Sequence, residues 1–366
     1  MPPDKGGVRG QGVGRSRAAS GADMQQVIIA RHGDASRLSI RDVASPEPAP
    51  GQLRIAVRAA GVNFADILIR RGLYPGAPRL PCVVGHEVSG VVDAVGENVD
   101  PIWVGREVLA LTDYGGYSER HVIDAHRVLP KPDGLSHAQA AALPLNYVTA
   151  WTLLVVMGSL RADQTVLIHN AGGGVGLAAI DVARHLGARA LGTASPGKHP
   201  FLLSRGLDHA IDYRRGGWHT EVAELTRGRG VDLVLDPLGP ASWQESLKLL
   251  GPAGRLGMFG ISQLAVPGLR GKLRLAAAML TARRFHPAKL IRGNRGVFGC
   301  NIHQMYDARI RLNTWLGQIL RGVGEGWVRP HVARTFDLAA ASDAHTYIEE
   351  RRNTGKVILS INPRDP

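Results

Sequence analysis

The sequence predicts an α/β protein with two domains, one rich in β strands and one built on a doubly wound parallel sheet. Short apolar runs separated by Gly and Pro fill residues 26–128, whereas apolar strands and amphipathic helices alternate over residues 165–259. A glycine-rich turn lies between the first strand and the next helix of that alternation. The chain has 366 residues, which is enough for each domain to bury its own core.

The composition narrows the classes of function. Two cysteines far apart in sequence, Cys82 and Cys300, exclude a disulfide framework and an all-cysteine structural zinc site. A reduced, cytoplasmic setting is therefore expected. Residues 1–24 are rich in Gly, Arg and Ser and lack the apolar core of a secretion signal, so they are predicted to be a disordered tail. The chain has no continuous apolar stretch of the roughly 18 residues that a membrane span needs.

The net charge of +13 is concentrated in one segment. Residues 270–311 hold ten Lys or Arg and one acidic residue, Asp307. Apolar residues alternate with these basic ones in a predicted insertion at 264–295, which is either a lid or solvated face, or a surface that contacts anionic membranes. The sequence contains no nucleic-acid-binding module or aromatic platform, so no nucleic-acid partner is expected.

The first domain is predicted to be discontinuous. Strands are expected at 26–30, 52–59, 88–95 and 107–111, with turn signals between them. A closing helix at 339–351 and a strand at 355–361 are expected to return to this region. The predicted domains are therefore 25–147 with 302–366, and 148–301 with the basic insertion.

The second domain repeats strand and helix in turn, which is typical of βαβ units on a parallel sheet. After a helix at 138–154, strands are predicted at 165–169, 188–193, 210–212, 232–236 and 255–259, and helices at 175–186, 199–205, 220–226 and 242–250.

The glycine turn predicts a dinucleotide site. Ala171 is small enough for the tight turn, Gly173 lets the backbone approach a pyrophosphate, and Gly176 lets the helix pack close to the sheet. Gly174 and Val175 begin the helix, where free N–H groups face an anion.

The end of the next strand distinguishes NAD(H) from NADP(H), because an acidic residue there would repel a 2′-phosphate. The sequence runs Thr193, Ala194, Ser195 and on to Lys198 without a carboxylate. Ser195 can donate to a phosphate and Lys198 can neutralise it, so NADPH is the predicted cofactor. Tyr213 either flanks the same phosphate or adenine, or is an edge residue of the sheet.

Motifs along the chain carry a family resemblance. They are Val62-Asn63-Phe64-Ala65-Asp66, Arg71-Gly72-Leu73-Tyr74-Pro75-Gly76, Gly85-His86-Glu87, Gly115-Gly116-Tyr117, the glycine turn, Asp236-Pro237-Leu238-Gly239 and Gly355-Lys356-Val357. With them the sequence resembles the medium-chain dehydrogenase/reductase superfamily and its zinc-lacking quinone oxidoreductases. Leu145-Asn146-Tyr147-Val148-Thr149-Ala150 and Ile211-Asp212-Tyr213 are most similar to the vesicle amine transport protein branch. The resemblance implies a GroES-like β-rich catalytic domain and a Rossmann cofactor domain.

The resemblance also bears on zinc. In the zinc alcohol dehydrogenases of this superfamily a Cys, a His and a second Cys hold the catalytic metal. The corresponding positions are Asn63, His86 and about Leu145, which cannot form a tetrahedral zinc site. No metal is expected, and His86 is interpreted as a relic or a packed core histidine.

Three residues are the catalytic candidates that the resemblance implies. Asn63 holds the substrate oxygen or the cofactor, or only stabilises a turn. Tyr74 donates a proton or stacks on a flat ring, or only anchors its loop. Asp66 is expected to act as a structural hydrogen-bond acceptor more than as a base.

The remaining implied residues belong to the cofactor. Asn146 and Thr149 are expected near the nicotinamide and its phosphate, and Asn301 across the cleft from them. Hydride transfer to a small hydrophobic quinone or an α,β-unsaturated carbonyl is the expected reaction, because such acceptors are electrophilic without a Lewis acid. The alternative is an NADPH-binding membrane-surface or scaffold protein with little turnover. A homodimer joined through strand residues 297–302 is also expected.

Overall fold

The computed structural model describes residues 24–264, 273, 276–278 and 285–362. The predicted tail lies outside these residues except for Met24, which is buried at the start of the first strand. Half of the basic insertion at 264–295 also lies outside them.

The first described region is built from strands that pair antiparallel, except for one parallel pair of strands contributed by residues 332–360. The strands are β1 (Met24–Ile29), β2 (Leu38–Val43), β3 (Gln52–Val62), β4 (Cys82–Val83), β5 (Glu87–Val95), β6 (Glu107–Leu111), β7 (Arg120–Asp124), β8 (Val128–Pro130), β15 (Val332–Asp337) and β16 (Lys356–Ser360). One sheet has the order β15-β16-β3-β5-β6-β8 with β7 paired to β3, and a smaller sheet has the order β2-β1-β4.

A six-stranded sheet forms the second region, and all its strands are parallel. The strands are β9 (Thr165–Ile168), β10 (Arg189–Ala194), β11 (His209–Asp212), β12 (Val231–Asp236), β13 (Leu250–Met258) and β14 (Gly296–Gly299). Their spatial order is β11-β10-β9-β12-β13-β14, so the direction of winding reverses between β9 and β12. A crevice opens at the carboxyl ends of the strands at such a switch point, which is where this fold class binds ligands. The predicted α/β fold class is confirmed.

Helices cover the sheets and fill the junction between them. They are α1 (Phe64–Arg71), α2 (His137–Ala141), α3 (Pro144–Trp151), α4 (Gly174–His185), α5 (His199–Arg205), α6 (Trp218–Leu225), α7 (Pro240–Lys248), α8 (Pro287–Gly293), α9 (Arg309–Gly324) and α10 (Ala341–Glu349).

The single helix predicted at 138–154 is wrong in one respect, because the structure divides it. Pro144 has no backbone N–H and begins α3 at its first position, so α2 ends before it. A π-helical segment, Thr152–Val156, then follows α3. Within the described residues, His137–Val156 is also the one helical run with the length and apolarity of a membrane span, and 72% of its most apolar window is buried inside the protein.

The end of the chain joins the two regions. β16 pairs with β3, with Val357 opposite Val62, and Gly355 forms a bridge to Gly173 in the glycine turn. Side chains of α9 pack in the same apolar cluster as side chains of α4. The domain bounds remain a prediction, and this packing brings part of 302–324 against the nucleotide-binding region.

Candidate active site

A cavity of about 1930 Å³ lies between the antiparallel sheet and the carboxyl ends of the parallel strands. It brings together residues from both ends of the chain and from the glycine turn. Most of the residues predicted from the sequence line it, namely Asn63, Tyr74, Asn146, Thr149, Gly173, Gly174, Val175, Gly176, Thr193, Ser195, Lys198, Tyr213 and Asn301. Asp66 and Ala171 do not line it, because both are fully buried behind its wall.

Close approach of the backbone explains the glycines of the turn. A Cβ on Gly176 would lie 2.5 Å from the carbonyl oxygens of Ala171 and Asn170, and one on Gly174 would lie 2.5 Å from Asn146 Nδ2. Ala171 fixes the turn to the neighbouring strand by donating its N–H to Thr193 O at 3.1 Å. The first turn of α4 therefore opens directly onto the cavity, where its free N–H groups suit an anion.

Three cationic side chains line the cavity near the end of β10. Lys198 Nζ donates to the carbonyl oxygens of Arg351 at 3.1 Å and Asn353 at 2.5 Å. The other two cations are the side chains of Arg214 and Arg351. In the described part of the chain none of the three is ion-paired with a carboxylate. Burial lowers the pKa of Lys198, and Arg351 and Arg214 lower it further. Such a group of neighbouring cations without counter-ions suits a phosphate.

A buried polar trio joins the two ends of the chain at the cavity wall. Lys356 Nζ donates to Asn63 Oδ1 at 2.5 Å and forms an ion pair with Glu87 Oε1. Asn63 Nδ2 donates to Glu87 Oε1 at 3.0 Å and to Gly61 O at 3.3 Å. Both N–H bonds of this amide are therefore used within the protein, so the expectation that Asn63 donates to a substrate oxygen does not fit this geometry.

Asp66 lies one layer behind this wall and accepts hydrogen bonds from three sides. Its donors are the N–H of Asn63 at 2.8 Å, the N–H of Gly85 at 2.9 Å and the hydroxyl of Tyr117 at 3.3 Å. Burial raises the pKa of Asp66, while the nearby His86 and the two backbone hydrogen bonds lower it. Asp66 is thus a fixed internal carboxyl group and cannot contact a ligand in the cavity.

Four ring side chains meet beside the cavity wall, those of Tyr74, His86, Tyr114 and His303. Five of the six pairs of these rings have centroids 5.0 to 6.5 Å apart. Tyr114 Oη lies 3.1 Å from Gly76 O, to which it donates, and 3.0 Å from His303 Nε2. Burial raises the pKa of Tyr74, and burial with neighbouring anionic groups raises that of Tyr114 to about 12. Both phenols therefore stay protonated at neutral pH.

The two regions also meet across the cavity mouth. Tyr74 Oη donates to Asn301 Oδ1 at 3.2 Å, and Asn301 Oδ1 also accepts the N–H of His303 at 3.1 Å. Cys300 lies next to them, and burial raises the pKa of its thiol to about 12, so the sulfur is not a thiolate nucleophile at neutral pH.

Known proteins resemble this chain in both sequence and fold. Residues 49–133 match the alcohol dehydrogenase GroES-like domain, and residues 205–359 match the zinc-binding dehydrogenase family. The human synaptic vesicle membrane protein VAT-1 homolog is 34% identical over 90% of this chain and 84% of its own length. A quinone oxidoreductase of Pseudomonas aeruginosa is 34% identical over 92% of this chain and 99% of its own length. The chain belongs to the medium-chain dehydrogenase/reductase superfamily. By family it is an oxidoreductase.

Solved structures agree with this membership of the medium-chain dehydrogenase/reductase superfamily. The human VAT-1 homolog-like protein superposes with a TM-score of 0.80 at 29% identity, over 94% of this chain and 99% of that one. The quinone oxidoreductase of Escherichia coli, solved as a complex with NADPH, gives a TM-score of 0.80 at 28% identity, over 92% of this chain and 99% of that one. The sequence resemblance to quinone oxidoreductases and VAT-1 proteins is confirmed.

The zinc site of some medium-chain dehydrogenases does not fit these residues. Asn63 Oδ1 accepts a hydrogen bond from the Lys356 ammonium group, and a cation at that distance would repel a metal ion. Of the three ligand positions only His86 carries a zinc-binding side chain. The described residues contain no group of three or more His, Cys, Asp or Glu that could hold a metal ion.

Several residues of this medium-chain dehydrogenase/reductase site were missed from the sequence. The sequence motifs include Lys356 only as the neighbour of Gly355, and they assign no role to Arg214 or Arg351. Arg214 follows Tyr213 directly, and this adjacency to a candidate phosphate residue was the available signal. His86 is 2% exposed, as the packed-core interpretation implies, yet it is one of the residues that line the cavity.

Proposed function

We propose that this chain is an NADPH-dependent oxidoreductase that transfers a hydride to a quinone or an α,β-unsaturated carbonyl without using zinc. The observation that carries the proposal is the cationic group of Lys198, Arg214 and Arg351 at the end of β10, beside a glycine turn that leads into α4. At the end of β10, where NAD-preferring sites hold an acidic residue, this chain has these three cations instead.

The residues divide into sites for the parts of the cofactor. The first turn of α4, from Gly174, would face the pyrophosphate. The 2′-phosphate would be held by Ser195, Lys198, Tyr213 and Arg214. Asn146, Thr149 and Asn301 would flank the nicotinamide ring, which supplies a hydride when the cofactor is bound.

Lys198 offers a specific advantage to a phosphate. Among the described residues, its ammonium group donates only to the neutral carbonyl oxygens of Arg351 and Asn353. A phosphate dianion is a stronger acceptor than a carbonyl, because both partners are then charged. The lysine can therefore turn from the carbonyls to the phosphate without breaking an ion pair.

The acceptor class follows from the chemistry of the wall. No described group of side chains suits a metal that would polarise an alcohol or a simple carbonyl. An acceptor that is already electrophilic, such as a quinone or an enone, needs only orientation and a donor for the oxygen that becomes negative. The quinone oxidoreductases among its relatives support this choice.

A panel assay tests the proposal. Oxidation of NADPH and of NADH would be followed with 1,4-benzoquinone, 1,4-naphthoquinones and alkenals as acceptors. The proposal expects NADPH oxidation that depends on the acceptor and exceeds oxidation of NADH. Tight NADPH binding without turnover of any acceptor would contradict it.

A second candidate is binding to an anionic membrane surface with little turnover. In α8, Ile291 is 80% exposed next to Arg292, and two of the relatives are named synaptic vesicle membrane proteins. Co-sedimentation with phosphatidylserine vesicles, compared with phosphatidylcholine vesicles, tests this candidate. A chain that binds neither kind of vesicle contradicts it. Dimer formation and a cytoplasmic location remain predictions.

A further inference from the structure

His86 is buried in the cavity wall with an incomplete set of partners. Its side chain lines the cavity, and its Nε2 atom has no hydrogen-bond partner among the described residues. The same atom lies 3.6 Å from Asp66 Oδ1. A buried imidazole nitrogen without a hydrogen bond is costly, and a small movement that brings Nε2 closer to Asp66 would remove that cost.

Asp66 is held in a position to orient that imidazole. Its donors come from Asn63, Gly85 and Tyr117, so the carboxyl group has little freedom to turn away. A carboxylate that accepts from one ring nitrogen fixes the tautomer and leaves the other nitrogen for a ligand. The distance of 3.6 Å is longer than a hydrogen bond, and such contacts often tighten only when the substrate is bound.

The groups facing His86 come from four other parts of the chain. Asp66 faces it from α1, Tyr74 from the loop after α1, Tyr114 from the loop after β6, and His303 from the turn after β14. The two phenols remain neutral, because burial raises the pKa of each. Asp66 is thus the carboxyl group that lies beside the ring, with its Oδ1 atom 3.6 Å from Nε2.

We propose that His86, oriented by Asp66, is the acid that protonates the oxygen of the acceptor. This inference rests on the proposed function. The acceptor gains a hydride and one proton, so a quinone becomes a hydroquinone. In the proton step the N–H bond of His86 at Nδ1 breaks and an O–H bond forms on the acceptor. Solvent then returns a proton to the imidazole.

The first experiment compares His86→Gln with the wild-type chain over a range of pH. Glutamine keeps a polar side chain but does not titrate. We expect kcat to fall on the order of 10²-fold in the variant, and its dependence on pH across the range in which imidazoles titrate to be lost. NADPH affinity should not change. His137→Gln, outside the cavity wall, should keep the wild-type kcat and pH profile.

A second experiment uses 4-nitrophenol, whose ionised form alone absorbs strongly in the visible range. With the phenol oxygen bound in place of the acceptor oxygen, the ionised form should accept a hydrogen bond from His86. It should therefore appear about one pH unit below its transition in free solution, a tenfold shift. The wild-type chain saturated with NADP⁺ suffices for this measurement, so it remains decisive if His86→Gln fails to fold. The shift should disappear in His86→Gln and persist in His137→Gln, which lies outside the cavity wall.

The possible failures are distinguishable. If the wild-type chain reduces an acceptor but His86→Gln retains its kcat and pH profile, the role of His86 is overturned and the proposed function stands. If the bound phenol titrates as in free solution, the role of His86 is likewise overturned. If the wild-type chain binds NADPH and the phenol but reduces no acceptor, the proposed function fails, and the inference fails with it.

Discussion

The ammonium group of Lys356 donates a hydrogen bond to Asn63 Oδ1 at 2.5 Å, joining residues 293 positions apart in the chain. Lys356 is the first residue of β16, and Asn63 directly follows the end of β3. Glu87 completes the trio from the first position of β5. Three strands of one sheet therefore fix one corner of the cavity.

Removing one of the two charges in this trio should lower the free energy of unfolding more than removing both. Lys356→Met leaves the carboxylate of Glu87 buried without its cation, which should lower the free energy of unfolding by about 3–5 kcal/mol. Lys356→Met combined with Glu87→Gln should recover most of that loss. Urea denaturation measures the free energy of unfolding of the wild-type chain, the single variant and the double variant. Lys248→Met, which breaks an exposed pair with Glu245, should change stability by less than about 1 kcal/mol. A double variant no more stable than the single one would contradict the account.

Lys198 should determine the preference for NADPH over NADH. Lys198→Ala removes a charge-assisted contact to the 2′-phosphate, so the Kd for NADPH should rise roughly tenfold to hundredfold. The Kd for NADH should stay within about twofold, because NADH lacks that phosphate. Titration of cofactor fluorescence measures both constants. Lys289→Ala, in the exposed helix α8, serves as the control. An equal rise in the Kd for both cofactors would show that Lys198 does not contact the 2′-phosphate, contrary to this prediction.

Gly176 should tolerate no side chain. Gly176→Ala places a Cβ 2.5 Å from two carbonyl oxygens, so the turn must shift, with a loss of about 1–3 kcal/mol in stability and weaker NADPH binding. Gly317→Ala is the matched control, because a Cβ there meets nothing within 4 Å in the middle of α9. That control should gain about 0.5–1 kcal/mol. Thermal unfolding and NADPH titration report both effects. Unchanged binding in Gly176→Ala would contradict the predicted cofactor position.

Stability should fall in mild acid because His345 is buried in its neutral form. Its side chain is fully buried, and burial lowers its pKa well below the ordinary value, with Arg70 and Arg71 adding to the effect. The unfolded chain binds a proton below about pH 6.5 where the folded chain does not, so the free energy of unfolding falls as the pH drops from there. The slope from this residue is at most about 1.4 kcal/mol per pH unit.

His345→Asn should reduce that slope, measured as urea denaturation between pH 7 and pH 5. The exposed His126, changed to Gln, serves as the control and should leave the slope unchanged. The Tyr117 hydroxyl donates to Asp66 and lies 3.1 Å from His345 Nε2, so His345→Asn also removes one hydrogen-bond partner of Tyr117. An unaltered slope in His345→Asn would contradict the burial argument.

Local pattern was sufficient to predict most of the fold. α5 (His199–Arg205) and β6 (Glu107–Leu111) have the bounds predicted from the sequence, because each is flanked by clear turn or capping residues. The glycine turn was recognisable for the same reason, since its steric requirement is local. The break before Pro144 was missed because an apolar helical pattern continues across it.

The site was predicted less completely because its contacts are long-range. Lys356 and Arg351 reach the cavity only because β16 pairs with β3 and the loop before it lies against the glycine turn. The position of His86 beside Asp66 depends on the fold around both. Periodicity carries no information on such pairings, so Asn63 was identified but its partners were not.

Transfer of deuterium is the most direct test of the central claim. NADPH labelled with deuterium at C4 of the nicotinamide, on each face in turn, would be mixed with the chain and an enone, and the product analysed by mass spectrometry. The account predicts that one label, and not the other, appears on carbon in the product. NADPH that is bound but never transfers its label to any acceptor would contradict the account.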